Sequence, residues 1–125
     1  MIDHIILTVS NIERSLAFYD AALKPLRVRY FLPYKGANGH PDLWGLGDGE
    51  RAFFWLKQGT PAPGALHWGF DAASKAEVDA FYQAAIAAGA KENIAPRVRA
   101  EYSPRYYAAA VFDLDGYSFE VVHKS

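Results

Sequence analysis

The chain of 125 residues contains no cysteine, and this absence excludes several kinds of protein at once. Disulfide frameworks, thiolate zinc sites and cysteine nucleophiles all need that residue. Long apolar runs are missing as well, since no stretch approaches the roughly 18 apolar residues of a membrane-spanning helix. An excess of one charge is also missing. The formal net charge of −1 argues against a nucleic acid or an anionic membrane as partner.

The remaining bulk properties are those of an ordinary globular protein. Apolar residues make up 51% of the chain and charged residues 22%. The N-terminus lacks the basic residues and long apolar run of a secretory signal peptide, so we expect a cytoplasmic protein. The length predicts a single domain, residues 1–125, with one core.

The sequence contains an internal repeat. The segment FYDAAL at residues 18–23 reappears as FYQAAI at residues 81–86, an offset of 63 residues. The same offset relates His4 to His67. A repeat of this length predicts two copies of one structural unit.

Each copy has the residue pattern of a β-α-β-β-β unit. The first module is predicted at about residues 1–58, the linker at 59–64 and the second module at about 65–125. The predicted strands are at 2–9, 28–32, 43–46, 51–57, 65–70, 94–99, 106–113 and 118–123, and the helices at about 11–23 and 74–88. A unit of this size buries little surface alone, so the two units should pair.

Strand alternation places both repeat-related histidines on the face that points away from the helix. In the first strand, the odd-numbered residues from Ile5 to Val9 are all apolar and should pack under the helix, so His4 points the other way. The same argument orients His67 in the equivalent strand. Glu120, on the last strand, shares the corresponding face with Ser118. Two imidazoles and one carboxylate suit a divalent cation, and this ligand set also occurs in iron(II) oxygenases.

The chain resembles the vicinal oxygen chelate superfamily, which includes glyoxalase I, extradiol dioxygenases, and fosfomycin- and bleomycin-resistance proteins. The matching segments are HIILTV at residues 4–9, SLAFY at 15–19, HWGF at 67–70 and DLDGYSFE at 113–120. The resemblance implies an α+β fold, in which tandem βαβββ repeats form an open half-barrel sheet with helices on the outside. It also implies that His4, His67 and Glu120 hold one divalent ion, with Fe, Mn, Zn, Ni and Mg left undistinguished.

The fourth ligand position of that family lies on the fourth strand of the first module. Aligning the two turns that precede the last strands puts Phe53 at this position, whereas the constant offset puts Lys57 there. Neither residue is a carboxylate. Glyoxalase I, in which a glutamate there binds metal and takes part in proton transfer, is therefore disfavoured.

The resemblance also indicates a substrate cavity. Ala108 and Ala110 leave space on the strand before the final hairpin. The residues expected to contact substrate are Phe53, Trp55, Lys57 and Tyr106, with Arg97 and Arg99 as further cationic candidates. By contrast, His40 lies in a loop rich in Gly and Pro and is interpreted as a surface residue.

Two functions remain open on the sequence. One is a metal-dependent enzyme that chelates a small oxygen-rich substrate, as a lyase or isomerase, a dioxygenase or a transferase. The other is a non-catalytic protein of the bleomycin-resistance type that binds and sequesters a small molecule. A homodimer is expected from the resemblance and from uncovered sheet edges.

Overall fold

The computed structural model describes residues 1–125 and contains two four-stranded sheets, each with one helix. The first sheet comprises β1 (Ile5–Val9), β2 (Arg29–Tyr34), β3 (Leu43–Gly47) and β4 (Ala52–Gln58), with helix α1 (Ile12–Ala22). The second comprises β5 (His67–Asp71), β6 (Lys91–Val98), β7 (Tyr106–Phe112) and β8 (Ser118–Lys124), with helix α2 (Lys75–Ala87). The predicted tandem βαβββ fold is confirmed.

Both sheets have the same strand order. The order is β1-β4-β3-β2 in the first sheet and β5-β8-β7-β6 in the second. In each, the first and last strands of the module pair in parallel and the other pairs are antiparallel. No backbone ladder joins the two sheets within one chain, so each keeps a free edge at β1 or β5.

Both helices begin at side-chain caps. The Asn11 side chain accepts a hydrogen bond from the backbone N–H of Arg14, and the Ser74 hydroxyl accepts one from that of Glu77. These caps satisfy N–H groups that have no partner within the helix. After α2, Gly89 adopts a φ of 113°, which favours glycine and ends the helix. Neither helix has the length and apolar character needed to cross a lipid bilayer.

Two strands run through prolines that a sequence pattern would treat as breaks. β2 includes Pro33 and β6 includes Pro96, and both strands lie at the outer edge of their sheet. An edge strand tolerates proline because an N–H that faces solvent is not needed for the ladder. The pairing register shifts between Tyr30 and Leu32 and between Ile94 and Arg97, close to each proline.

The helix-facing sides of both sheets share one aromatic core. The ring of Tyr19 on α1 lies 4.9 Å from that of Phe54 on β4 and 5.5 Å from that of Phe119 on β8, between centroids. Phe54 also contacts Trp68 on β5, with the ring centroids 5.7 Å apart. This packing buries one side of each sheet and leaves the opposite side open, where Ile6 is exposed.

A buried hydrogen-bond network ties α1 to the turn before β8. The Tyr19 hydroxyl donates to Asp113, which also accepts from the backbone N–H groups of Asp115 and Tyr117 at 2.9 and 2.8 Å. Burial raises the pKa of Asp113 and, together with the charge of Asp113, raises the pKa of Tyr19 well above its ordinary value. The network fixes where β8 begins and therefore where Glu120 lies.

We predict that Tyr19→Phe destabilises the fold by about 1–3 kcal/mol, because it leaves a buried carboxylate oxygen of Asp113 without its donor. Urea unfolding followed by circular dichroism measures the change in the free energy of unfolding. Tyr30→Phe is the matched control, since the Tyr30 side chain is half-buried and its hydroxyl makes no hydrogen bond. Equal stabilities for the two variants would contradict a stabilising role for the Tyr19–Asp113 contact.

Candidate metal centre and adjacent cavities

Glu120 lies on the open face of the second sheet, across from a glycine. β5 and β8 pair Gly69 with Glu120, and a Cβ on Gly69 would lie 3.2 Å from the Glu120 Cγ. The missing side chain therefore gives the glutamate room to lie against the neighbouring strand. The Glu120 side chain is only 14% exposed, so its charge is poorly hydrated.

The two oxygens of Glu120 have different surroundings. Oε1 accepts a hydrogen bond of 2.9 Å from the Tyr106 hydroxyl. Oε2 is buried and has no hydrogen-bond partner. A buried carboxylate oxygen without a partner is costly, and a bound cation is one of the few groups that can satisfy it.

His67 is oriented so that one ring nitrogen remains free beside this carboxylate. Its Nδ1 lies 3.0 Å from the carbonyl oxygen of Ser118. Because a carbonyl oxygen only accepts, Nδ1 carries the hydrogen in the neutral ring and Nε2 has a free lone pair. Nε2 lies 3.5 Å from the Glu120 Oε1. Histidines that bind metal commonly have their second nitrogen held in this way.

Tyr106 contacts the candidate ligand Glu120 through its hydroxyl. Burial, followed by the hydrogen bond to Glu120 and the charge of that residue, raises the pKa of Tyr106 to about 12. At neutral pH the hydroxyl is therefore protonated and donates to Oε1. The sequence also predicts Tyr106 as a substrate contact, and that role stays a prediction beside the observed hydrogen bond to Glu120.

His4 is not grouped with the other two predicted ligands in one chain. Its Nδ1 lies 2.8 Å from an Asp3 carboxylate oxygen, and its side chain is 50% exposed. No three His, Asp or Glu side chains of the chain are placed to hold one ion. His4 and His67 do border the same open cleft, of about 530 Å³, at the β1 and β5 edges. One chain therefore brings together His67 and Glu120 and leaves His4 apart.

The predicted substrate contacts are distributed over two cavities. Phe53 lines the cleft beside both histidines. Trp55 lines a second cavity, of about 350 Å³, on the open face of the first sheet. Lys57 lines neither cavity, because it lies further along β4, opposite Thr8. Arg97 and Arg99 both pair with Glu101, whose pKa falls to about 2 chiefly through the hydrogen bond from Arg99.

His40 is exposed, as its loop composition indicates, and it also borders the second cavity. The loop that carries His40 joins β2 to β3 at the edge of the open face. The position of this loop is the feature that could have identified His40 as a cavity residue.

The strand pairing also locates the position equivalent to Glu120 in the first module. In the second module, Gly69 lies two residues after His67 and pairs with Glu120. In the first module, Ile6 lies two residues after His4 and pairs with Trp55. Trp55, rather than Phe53 or Lys57, therefore occupies the matching position. As both sequence alignments predicted, this position does not carry a carboxylate.

The model of the glyoxalase/bleomycin resistance protein/dioxygenase superfamily matches residues 1–121. The chain belongs to this superfamily. A search of curated proteins finds no sequence match.

Solved structures of the same superfamily share the fold over most of their length. A glyoxalase/bleomycin resistance protein from Albidiferax ferrireducens T118 is 25% identical, with a TM-score of 0.78 and coverage of 100% of this chain and 99% of the other. A variant of the fosfomycin resistance protein FosX from Listeria monocytogenes, in complex with Mn(II) and 1S,2S-dihydroxypropylphosphonic acid, is 16% identical. Its TM-score is 0.69, and the match covers 100% of this chain and 90% of that one.

We predict that Tyr106→Phe weakens the binding of Mn²⁺ about 10- to 100-fold, because the carboxylate of Glu120 loses the donor that orients it. Isothermal titration calorimetry with MnCl₂ measures the affinity. Tyr102→Phe is the matched control, since the Tyr102 ring packs at a tilt on Tyr106, with centroids 5.1 Å apart, and its hydroxyl makes no hydrogen bond to Glu120. Equal affinities for the two variants would show that the Tyr106 hydroxyl does not position a ligand.

Proposed function

We propose that this chain is a divalent-metal-dependent enzyme that acts on a small oxygen-rich substrate by bidentate chelation. The observation that carries the proposal is the buried Glu120 Oε2, which has no partner and lies on the same face as the free Nε2 of His67. Superfamily membership supports it, and the FosX structure holds Mn(II) together with a small diol ligand.

In this proposal His67, Glu120 and His4 hold the ion. When bound, a divalent ion supplies Lewis-acid stabilisation of negative charge on substrate oxygens. The chain's own residues fix the geometry. The Ser118 carbonyl sets the ring orientation of His67, and the Tyr106 hydroxyl restrains one oxygen of Glu120 and leaves the other free. A set of only three protein ligands leaves room for a chelating substrate.

We further propose that a homodimer completes the site, with His4 supplied by a second copy. Two observations support this arrangement. His4 is not grouped with His67 and Glu120 within one chain. The open faces and free edges of both sheets also expose apolar side chains, among them Ile2, Ile6, Leu32, Leu66 and Val98. Exposed apolar surface of this kind is typical of a protein interface.

The metal itself can be tested directly. Protein purified without chelator and analysed by inductively coupled plasma mass spectrometry should contain about one divalent ion per chain. His67→Ala and Glu120→Ala should each lose it, because each removes a ligand. Glu50→Ala is the control, since Glu50 is an exposed carboxylate in the turn before β4. A wild-type protein that binds no divalent ion, even after incubation with Mn²⁺, would overturn the enzyme proposal and favour the non-catalytic binder.

The shared site predicts complementation between two damaged chains. His4→Ala and Glu120→Ala should each bind little metal alone. Heterodimers from co-expression of the two variants should contain one intact site and one damaged site. In the intact site, the His4→Ala chain supplies a normal Glu120 and the Glu120→Ala chain supplies a normal His4. Differently tagged chains allow the heterodimer to be isolated for metal analysis. No recovery in an isolated heterodimer would place all three ligands in one chain.

A further inference from the structure

We propose that Asp3 is a positioning residue, which orients the ring of His4 for metal binding through a hydrogen bond, and that Arg51 holds Asp3 in place. The ligand role of His4 rests on the proposed function, whereas its orientation stands on contacts within the chain. The His4 Nδ1 lies 2.8 Å from the Asp3 Oδ1. A carboxylate at neutral pH can only accept, so Nδ1 carries the hydrogen in the neutral ring and Nε2 has a free lone pair.

His4 needs such a contact because the strand ladder does not include it. The pairing of β1 with β4 begins at Ile5, opposite Phe54, so His4 lies just before the first paired residue. Its side chain is 50% exposed and borders an open cleft. An imidazole in such a position has several rotamers and two tautomers available, and every alternative lowers the fraction that can bind an ion.

The second module orients its histidine by a different contact. His67 is the first residue of β5 and pairs with Ser118, whose backbone carbonyl lies 3.0 Å from the His67 Nδ1. The residue before His67 is Leu66, which has no polar side-chain atom to accept a hydrogen bond. Asp3 therefore does in the first module what the backbone of a paired strand does in the second.

Arg51 restrains the segment that carries Asp3. Its Nη2 donates to the backbone carbonyl of Asp3 at 2.7 Å and lies 3.7 Å from the Asp3 Oδ2. The guanidinium also lies over the ring of Phe53, 5.8 Å from the centroid. The backbone N–H of Arg51 donates to Asp48 at 2.8 Å, which fixes the turn before β4. Exposed ion pairs contribute little through charge alone, so the role of Arg51 is to restrain the position of Asp3.

A carboxylate behind the ring changes the strength of the ligand as well as its direction. The negative charge of Asp3 stabilises the hydrogen on Nδ1 and makes Nε2 of His4 a better electron donor. The group behind His67 is a neutral carbonyl. His4 is therefore the stronger donor of the two imidazoles. Since Asp3 and Arg51 belong to the same module as His4, the copy that supplies His4 to a shared site also supplies its orientation.

The orientation can be tested without any metal. Chelator-treated protein labelled with ¹⁵N-histidine is measured at about pH 8, where an unpaired imidazole is neutral, and the ring ¹⁵N shifts report which nitrogen carries the hydrogen. His4, assigned by the loss of its signals in His4→Ala, should have the hydrogen on Nδ1 in the wild type and largely on Nε2 in Asp3→Ala. His67 is the internal control and should keep its hydrogen on Nδ1 in both proteins.

The effect on metal affinity is measured by isothermal titration calorimetry with MnCl₂. Asp3→Ala should weaken the binding of Mn²⁺ about 10-fold, as expected when a metal-binding histidine loses its hydrogen-bond partner. Glu50→Ala is the matched control, since it removes an exposed carboxylate from the turn beside Arg51. Arg51→Met should weaken binding about threefold, although it removes a positive charge. Charge alone predicts the opposite sign, so this variant separates positioning from electrostatics.

An unchanged His4 tautomer in Asp3→Ala would overturn the inference, as would wild-type affinity for Mn²⁺ in that variant. Equal or tighter binding of Mn²⁺ by Arg51→Met would overturn the role of Arg51. A changed His4 tautomer in Asp3→Ala, together with a wild type that takes up no Mn²⁺, would support the orientation of His4 while the enzyme proposal fails. Uptake of Mn²⁺ with equal affinities in all variants would overturn this inference alone.

Discussion

The burial of both helix-facing sheet surfaces in one core determines the rest of this structure. Tyr19 contacts both Phe54 of its own module and Phe119 of the other module there. Once these faces are buried, the opposite face of each sheet is left open to solvent. The open faces carry the candidate functional side chains, which are those of His4, His67, Glu120 and Trp55. The packing that stabilises the fold therefore also leaves these side chains on the side away from the core.

The two open faces have the same backbone design and different chemistry. At matching positions, the second sheet carries Glu120 lying against Gly69, and the first carries Trp55 lying against Gly45. In both cases a glycine on the neighbouring strand makes room for a larger inward side chain. The repeat therefore has one backbone geometry at both positions, with a carboxylate in the second sheet and an indole in the first.

Buried polar contacts join the core to the candidate centre. Asp113 sits at the start of the turn that leads into β8, and its hydrogen bonds from Tyr19 and from two backbone N–H groups fix the register of that strand. Seven residues further along, Glu120 is restrained by Tyr106. The geometry of the carboxylate therefore depends on contacts from α1 and β7 as well as on its own strand.

The amino-acid sequence by itself determined the repeated β-α-β-β-β order and the strand parity of His4, His67 and Glu120, because these follow from local pattern and from a fixed offset. The tertiary structure decided what depends on contacts between distant segments. It set the pairing register that puts Trp55 opposite Ile6, the edge positions that admit Pro33 and Pro96, and the approach of the His40 loop to the open face. It also decided that His67 and Glu120 meet within one chain while His4 does not, since no local signal specifies how two separate sheets are placed in space.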